Sequence, residues 1–205
     1  MKVLIINGSP HKDGCTMHAL KEVEKELNKE NIETEILQIG SLDIRGCIAC
    51  NYCKENHQCV FDDIVNEAAK IFKDCDGILI GSPVYYAGMN GTLKSFLDRF
   101  FNSSYVSKSM KVGACIASSR RAGSTTTLDE IYRYFEISNM VVATSTYFNE
   151  IHGLKKEDIY LDQEGIQTMH NLARSMAFLI KSINLGKKEF GIPKKELGYN
   201  TNFLK

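Results

Sequence analysis

Lys2-Val-Leu-Ile-Ile-Asn7 begins the stretch from which most of the fold can be inferred. It is a short apolar run that ends at the turn residues Gly8-Ser9-Pro10, so we predict a buried strand followed by a tight turn. The next segment, Thr16–Asn28, carries apolar residues at helical spacing. A strand, a turn and an amphipathic helix in this order indicate the first unit of an α/β domain.

The same alternation continues along the chain. Further strands are predicted over Glu33–Ile39, Gly77–Gly81, Lys111–Ala117 and Met140–Thr144. Further helices are predicted after Asp62 or Asp63 and over Leu93–Phe101, Thr127–Ser138 and Gln163–Asn184. This order predicts an α/β fold, a doubly wound parallel sheet with helices on both faces. We expect one domain over residues 1–185, with an irregular loop over Leu42–Val60 that is Cys-rich in residues 44–60, and a C-terminal tail over residues 186–205.

Composition excludes several classes of partner. The chain has 205 residues, and its 25 Lys and Arg balance its 25 Asp and Glu, so its net charge is zero. A neutral chain offers no electrostatic reason to expect binding to nucleic acid or to an anionic membrane. No segment approaches the ~20 apolar residues of a membrane span. We expect a cytoplasmic protein whose cysteines stay reduced and serve metal binding or catalysis.

Four of the seven cysteines lie close together in the sequence, at Cys47, Cys50, Cys53 and Cys59. Their spacing is C-x2-C-x2-C-x5-C, which favours thiolates that converge on one metal centre. Two alternatives remain open on the spacing alone: a zinc ion held by the same thiolates, or a loop without metal. His57, inside the loop, is expected to be solvated.

The turn between the first strand and the first helix is a candidate phosphate site, because free backbone N–H groups and the helix dipole attract anions. It matches neither the dinucleotide-binding Gly pattern nor a Walker loop. In the alternative interpretation, Ser9 and Thr16 merely cap the helix. Two more loops, Pro83–Gly88 and Ser118–Gly123, follow predicted strands, and ligands bind at this end of an open α/β sheet. Tyr85 and Tyr86 offer flat faces to an aromatic ring.

Three motifs together resemble the flavodoxin-like NADPH-dependent FMN reductase family: Gly8-Ser9-Pro10 with Thr16, Gly81-Ser82-Pro83-Val84-Tyr85, and Leu93-Lys94-Ser95-Phe96-Leu97-Asp98-Arg99. The resemblance implies a flavodoxin-like five-stranded sheet in the order 2-1-3-4-5 and a bound FMN. It places the phosphate on Ser9–Thr16 and the isoalloxazine against the two later loops. The FMN-binding residues implied in this way are Ser9, His11, Lys12, Gly14, Cys15, Thr16, Pro83, Val84, Tyr85, Tyr86, Gly88, Ser118, Arg120, Arg121 and Gly123.

The chain departs from the family pattern in the first turn. His11 stands where the family usually has Arg, and Lys12 is a possible substitute for the missing cation. Cys15 stands where the family often has Asn; its position near a helix start predicts a lowered pKa, although a small residue that fits the turn is the preferred interpretation. Arg120 and Arg121 are expected to contact the flavin rather than form a solvated pair. Asp98 and Arg99 are interpreted as an ion pair within the helix or at an interface.

The cysteine spacing resembles the iron–sulfur flavoprotein branch of the same family. This resemblance implies a [4Fe–4S] cluster on Cys47, Cys50, Cys53 and Cys59, with no catalytic side chain. It implies electron transfer between a one-electron donor such as ferredoxin and a two-electron acceptor, such as a quinone or an oxygen species. The alternatives are an NAD(P)H-dependent FMN or quinone reductase without a cluster, and a non-catalytic flavodoxin-type carrier. A homodimer or homotetramer is expected, with residues 186–205 at an interface.

Overall fold

The structure is a computed structural model that describes residues 1–196 and 199. Its strands are β1 (Lys2–Asn7), β2 (Glu33–Gln38), β3 (Gly77–Pro83), β4 (Val112–Ser119), β5 (Val141–Val142) and β6 (Glu150–His152). Its α-helices are α1 (Cys15–Lys29), α2 (Tyr52–Asn56), α3 (Ile64–Lys73), α4 (Gly91–Ser103), α5 (Ser124–Ile137) and α6 (Gln163–Phe190). Every predicted strand and helix is present, with ends that differ by a few residues.

The strands form one parallel sheet in the order β2-β1-β3-β4-β5. The predicted flavodoxin-like order is therefore confirmed. Ile5 at the centre of β1 lies opposite Ile36 of β2 and Leu79 of β3. The central strands β1 and β3 are largely apolar and buried because helices cover both faces of the sheet, whereas the edge strand β2 is more polar and only partly buried.

Two short strands share the fifth position of the sheet. β5 pairs with the start of β4 at Val112 and Gly113, and β6 pairs with the end of β4 at Ala117–Ser119. The sequence analysis did not predict β6, because three residues are too few to show an alternating pattern. β6 matters for function because it brings the loop after it to the carboxyl end of β4.

Helices α3, α4 and α5 cover one face of the sheet, and α1 and α6 cover the other. The first face holds an aromatic cluster in which the rings of Phe72 and Phe96 both lie against that of Phe100, with centroids 5.5 and 5.4 Å away. On the second face, α1 and α6 bury residues such as Leu20 and Met176. No helix among the described residues combines the length and the hydrophobicity that a membrane span requires.

Two predicted boundaries need adjustment. The loop expected to be irregular over Leu42–Val60 contains the short helix α2. Helix α6 continues to Phe190, so it runs past the predicted domain boundary at residue 185. Phe203, one of the tail aromatics, lies outside the described residues. The place of the tail at an oligomer interface stays a prediction.

Candidate functional site

A crevice of about 520 Å³ lies at the carboxyl ends of β1, β3 and β4. Ten of the residues predicted to bind FMN line it. They are Ser9, His11, Gly14, Cys15, Thr16, Pro83, Val84, Tyr85, Ser118 and Arg120. The three loops that the sequence analysis singled out thus meet at one edge of the sheet.

The first turn presents an uncapped helix start to this crevice. Gly14 precedes α1, no side chain caps the helix, and its first turn contains no acidic residue. Ser9 instead accepts a hydrogen bond from the His11 N–H through its Oγ at 3.2 Å, and the Thr16 Oγ1 lies 2.7 Å from the Ser118 Oγ. The interpretation of Ser9 and Thr16 as mere helix caps is therefore wrong. The free N–H groups and the dipole of α1 suit a phosphate.

Close backbone packing holds the turn in place. The Asn7 Oδ1 accepts a hydrogen bond from the Ser9 N–H at 3.1 Å, and the Gln38 Nε2 donates to the Ser9 carbonyl at 2.7 Å. At Gly40 a Cβ would overlap the carbonyl oxygens of Gly8 and Ser9, so only glycine fits this approach. The first turn is therefore built against the end of β2 as well as against β1.

A two-residue hairpin projects beside the crevice after β3. Tyr85 and Gly88 exchange backbone hydrogen bonds of 2.9 and 3.0 Å, and the residues between them, Tyr86 and Ala87, have φ of 50° and 57°. Left-handed backbone at two non-glycine residues costs roughly 1–2 kcal/mol each, and such strain clusters at ligand sites. The Tyr86 side chain is fully exposed.

The loop after β4 packs on this hairpin. Gly123 has φ of 94°, and a Cβ there would lie 2.8 Å from the Val84 Cγ1. Gly123 is therefore required by both conformation and space. Five predicted residues lie outside the lining of the crevice; they are Lys12, Tyr86, Gly88, Arg121 and Gly123.

The segment 153–156, which the sequence analysis missed, forms the remaining wall of the crevice. Lys155 and Lys156 line it, and they add positive charge near the helix start. The Asp13 carboxylate accepts hydrogen bonds from Lys156 and, at 2.8 Å, from the His18 Nε2. These hydrogen bonds lower the pKa of Asp13 to about 2. We call residues 153–160 the strap, because Lys156 joins it to Asp13 in the turn before α1 and the Tyr160 Oη, 3.0 Å from the His18 Nδ1, joins it to α1 itself.

The expectation of a lowered pKa for Cys15 is wrong. Burial of the thiol raises its pKa, and the nearby carboxylates of Asp158 and Glu157 raise it further. The strap supplies these carboxylates, and its approach to α1 was not visible in the sequence. A neutral thiol in this position agrees with the preferred interpretation of Cys15 as a small residue that fits the turn.

The four cysteines of the loop line a second, much smaller cavity. Its volume is about 40 Å³, and Cys47, Cys50, Cys53 and Cys59 all contribute to its wall. All seven cysteines of the chain are free thiols. In the described part of the chain, no three His, Cys, Asp or Glu side chains are arranged to hold a metal ion. The thiols thus share one cavity without forming a ligand set.

The loop reaches this arrangement through unusual backbone conformations. Ala49, Asn51 and His57 have φ of 54°, 60° and 56°. Ala49 lies between Cys47 and Cys50, where the left-handed residue reverses the chain within the short spacer. None of the three is glycine, so the loop maintains a conformation that costs free energy.

Arg99 connects the loop to the helices. Its side chain is 1% exposed, and it donates to both carboxylate oxygens of Asp63, at 2.7 and 2.8 Å. Its Nε also donates to the Cys59 Sγ at 3.2 Å. Asp98 and Arg99 therefore do not pair with each other within the helix, since Asp98 pairs with Lys94 at 3.2 Å and Arg99 with Asp63. On α4, consecutive residues point in different directions, so Arg99 faces the loop, whereas Asp98 faces α5, where it accepts a hydrogen bond from the Tyr134 hydroxyl.

The model of the family described as NADPH-dependent FMN reductase matches residues 1–153 of this chain. This segment includes the three predicted loops that line the crevice and the cysteine loop. The chain belongs to the NADPH-dependent FMN reductase family. This reductase is accordingly a flavin-dependent oxidoreductase, and FMN is the cofactor that its family implies.

Relatives place the reductase in the iron–sulfur flavoprotein branch of the family. It is 35% identical to an iron–sulfur flavoprotein of Methanocaldococcus jannaschii, over 89% of this chain and 99% of the relative. It is 30% identical to an iron–sulfur flavoprotein of Methanosarcina thermophila, over 89% of this chain and 97% of the relative. Its fold resembles the flavoenzyme NAD(P)H:(acceptor) oxidoreductase FerB of Paracoccus denitrificans, with a TM-score of 0.65, 16% identity, and coverage of 88% of this chain and 97% of FerB.

Proposed function

We propose that this reductase transfers electrons between a [4Fe–4S] cluster on Cys47, Cys50, Cys53 and Cys59 and an FMN in the crevice, and so connects a one-electron donor to a two-electron acceptor. The observation that carries the proposal is the presence of all four thiols on one cavity in a domain that also has an FMN-type crevice. The names of the relatives support the same assignment.

The side chains around the cysteines supply hydrogen-bond donors that suit the sulfur ligands of a cluster. Arg99 donates to the Cys59 Sγ, and the Asn102 Nδ2 donates to the Cys53 Sγ at 3.7 Å. Hydrogen bonds and positive charge at the sulfurs stabilise thiolates and raise the reduction potential of a cluster. A bound cluster supplies one-electron transfer, and the loop supplies its ligands and their donors.

The crevice residues fit FMN. We assign the phosphate to the Ser9–Thr16 turn, with Lys156 of the strap as a nearby cation, and the isoalloxazine to Pro83–Gly88 and Ser118–Gly123. When bound, FMN takes up two electrons and can release them singly. The protein's own residues bind, orient and shield the flavin, and no side-chain nucleophile or base is required.

Anaerobic purification tests this assignment. We expect iron and acid-labile sulfide in amounts near one [4Fe–4S] cluster per chain, together with FMN. Cys53→Ser should lose the iron while it keeps the flavin. Cys75→Ala is the matched control, because Cys75 is buried outside the loop and should leave both contents unchanged. Iron-free protein from strictly anaerobic cells would contradict the cluster.

A second candidate is an NAD(P)H-dependent FMN or quinone reductase without a cluster. The description of the family and that of FerB favour it. In this case NADPH alone bleaches the flavin absorbance rapidly, and the cysteine variants retain this activity. Slow bleaching by NADPH with rapid reduction by ferredoxin supports the first candidate.

We also propose that the reductase is a homodimer or homotetramer. Tyr86, Phe178 and Phe190 are exposed aromatic residues, and such side chains are typical of surfaces that associate. Sedimentation equilibrium of the flavin-loaded protein measures the assembly directly. A monomer at every concentration would contradict this proposal.

A further inference from the structure

A groove rich in lysine lies beside the cysteine loop, at the amino end of β4. It consists of two adjoining cavities of about 700 and 480 Å³ that share Val106, Ser107, Ser109 and Ile192. We call it the basic groove, after the lysines that line it. They are Lys70, Lys73, Lys108, Lys111, Lys187 and Lys195.

The basic groove concentrates positive charge in a chain of zero net charge. No described acidic residue lines either cavity, and no described carboxylate lies within 4.0 Å of the ammonium groups of Lys70, Lys73 or Lys187. Lys111 has a local structural role, because its Nζ donates to the carbonyls of Phe72 and Lys73 at 3.2 Å. Lys108 likewise donates its Nζ to the Ser104 carbonyl at 2.5 Å. The charge available to a partner therefore comes mainly from Lys70, Lys73, Lys187 and Lys195.

A buried hydroxyl in the wall of the basic groove also lacks a hydrogen-bond partner among the described residues. Ser104 is 5% exposed and lines the larger cavity, yet its Oγ has no hydrogen-bond partner among the described residues. Buried polar groups without partners are rare in folded proteins. This wall thus combines unpaired charge with an unpaired hydroxyl.

The basic groove and the cysteine cavity have a common wall. Gln58 and Ser104 line the groove, while their chain neighbours Cys59 and Ser103 line the cysteine cavity. Asn66, which also lines the groove, accepts a hydrogen bond from the Cys59 N–H at 2.9 Å. A molecule seated in the groove therefore lies next to the fourth cysteine.

The flavin crevice is far from the basic groove. Lys111 precedes β4, whereas Ser118 and Ser119 at the other end of β4 line the crevice. Eight residues of strand span about 26 Å. A nicotinamide bound in the groove is too far from the crevice to transfer hydride, so a reductant that docks here must use the cysteine loop.

We propose that the basic groove docks an acidic one-electron carrier protein, which delivers its electron to the cluster on the neighbouring cysteines. This inference rests on the proposed function. Each encounter oxidises the carrier by one electron and reduces the cluster by one electron. Two encounters supply the two electrons of flavin reduction, and water supplies the protons.

Charge complementarity explains how a neutral protein recruits such a carrier. Electron-transfer complexes have small interfaces, and local charge raises their association rate more than their final affinity. The rate should therefore fall steeply as salt screens the lysines. A small dianionic reductant such as dithionite needs no docking surface and should reduce the protein at a rate that does not depend on the groove.

Charge reversal in the groove tests this docking. The groove variant carries Lys70→Glu and Lys73→Glu at two exposed positions of α3. The matched control carries Lys21→Glu and Lys25→Glu at two exposed positions of α1, so its net charge changes by the same amount. The full-length protein with cluster and FMN is mixed with a reduced acidic bacterial ferredoxin in a stopped-flow instrument. At low salt, we expect the bimolecular rate constant of the groove variant to fall about tenfold or more and to lose most of its salt dependence. The control should keep both the wild-type rate constant and its salt dependence. Dithionite should reduce wild type, groove variant and control at equal rates.

Several results would overturn the docking proposal. If the rate constant falls equally in the groove variant and the control, the effect is one of general charge. If the rate constant of the groove variant is unchanged, the carrier docks elsewhere. Tight calorimetric binding of pyrophosphate to wild type but not to the groove variant, without binding of ferredoxin, makes the groove a site for small anions.

If the protein holds no cluster, the proposed function fails; calorimetry with oxidised ferredoxin then still decides the docking. The neutral variant Lys70→Gln with Lys73→Gln should fall between wild type and the reversal, which separates charge from misfolding.

Discussion

Arg99 shows how much one side chain contributes at the scale of the residue. Its guanidinium joins α4 to Asp63 at the start of α3, and it reaches the carbonyl of Arg45 at 3.2 Å and the thiol of Cys59. A guanidinium on a side chain that is 1% exposed is stable only because its N–H groups all have hydrogen-bond acceptors. The same side chain thus positions the loop and places a positive charge beside a proposed cluster ligand.

Replacing Arg99 with Met should destabilise the protein strongly. Removing one partner of a buried pair costs about 3–5 kcal/mol, and we expect about 3 kcal/mol because the Asp63 side chain is 32% exposed and so stays partly hydrated. Urea unfolding at constant m-value measures the difference. Arg133→Met, at an exposed position of α5, is the control and should stay within about 0.5 kcal/mol of wild type. A similar loss of stability in Arg99→Met and Arg133→Met would refute the stabilising role of the Arg99–Asp63 pair.

Asp13 makes the ion pair between the strap and the turn before α1 sensitive to pH. Its pKa is lowered from 3.8 to about 2, chiefly by the hydrogen bond from Lys156. A lowered folded-state pKa stabilises the folded state above pH 3.8, and this contribution disappears as the pH falls through about 2. In Lys156→Met the pKa of Asp13 should rise toward 3.8, as measured by carbon NMR of its carboxyl group. Lys155→Met is the matched control, and an equal rise there would contradict the assignment.

At the scale of elements, the shape of the crevice proposed for FMN depends on how each strand passes into the next helix. β3 leads into the strained hairpin and then into α4, which begins with Asn90 as its N-cap. The Asn90 Oδ1 accepts hydrogen bonds from the N–H groups of Thr92 at 2.8 Å and Leu93 at 3.2 Å. The Asn90 N–H in turn donates to the Ser82 Oγ at 3.1 Å. This cap sets the direction in which α4 leaves the crevice.

Asn90→Ala should lower the free energy of unfolding by about 1–2 kcal/mol, because an N-cap is lost at a position that is 6% exposed. FMN affinity should fall with it, since the hairpin before the cap loses its anchor. Thermal unfolding and flavin titration measure the two effects. Asn28→Ala, at an exposed position on α1, should change neither. Full stability with weaker FMN binding would mean that the cap serves the site alone.

At the scale of the whole molecule, the parallel sheet gathers segments that are distant in sequence at one edge. The crevice includes residues from the first turn to the strap, so its shape depends on the complete sheet. The cysteine cavity and the basic groove instead lie beside α3 and α4, since Asn102 and Ser103 of α4 line the cavity and Lys70 and Lys73 of α3 line the groove. The two proposed redox centres therefore lie on different parts of the surface.

FMN should stabilise the whole domain. With FMN at about 100 times its Kd, the free energy of unfolding of the flavin-free protein should rise by about 2.7 kcal/mol. Riboflavin at the same concentration should stabilise far less, because it lacks the phosphate that we assign to the start of α1. Calorimetric melting with each ligand compares them. Equal stabilisation by the two flavins would argue against the phosphate assignment.

The sequence by itself determined the alternation of strands and helices, the sheet order through family resemblance, and the edge at which Ser9, Tyr85 and Ser118 meet. The alternation follows from local apolar periods and from turns that nearby residues specify, whereas the sheet order was implied only by the resemblance to the family. Only the tertiary structure decided the split fifth strand, the strap at Lys156, the pairing of Arg99 with Asp63, and the basic groove. Each of these joins residues that are distant in sequence, and their contact depends on how the helices pack over the sheet rather than on any local pattern.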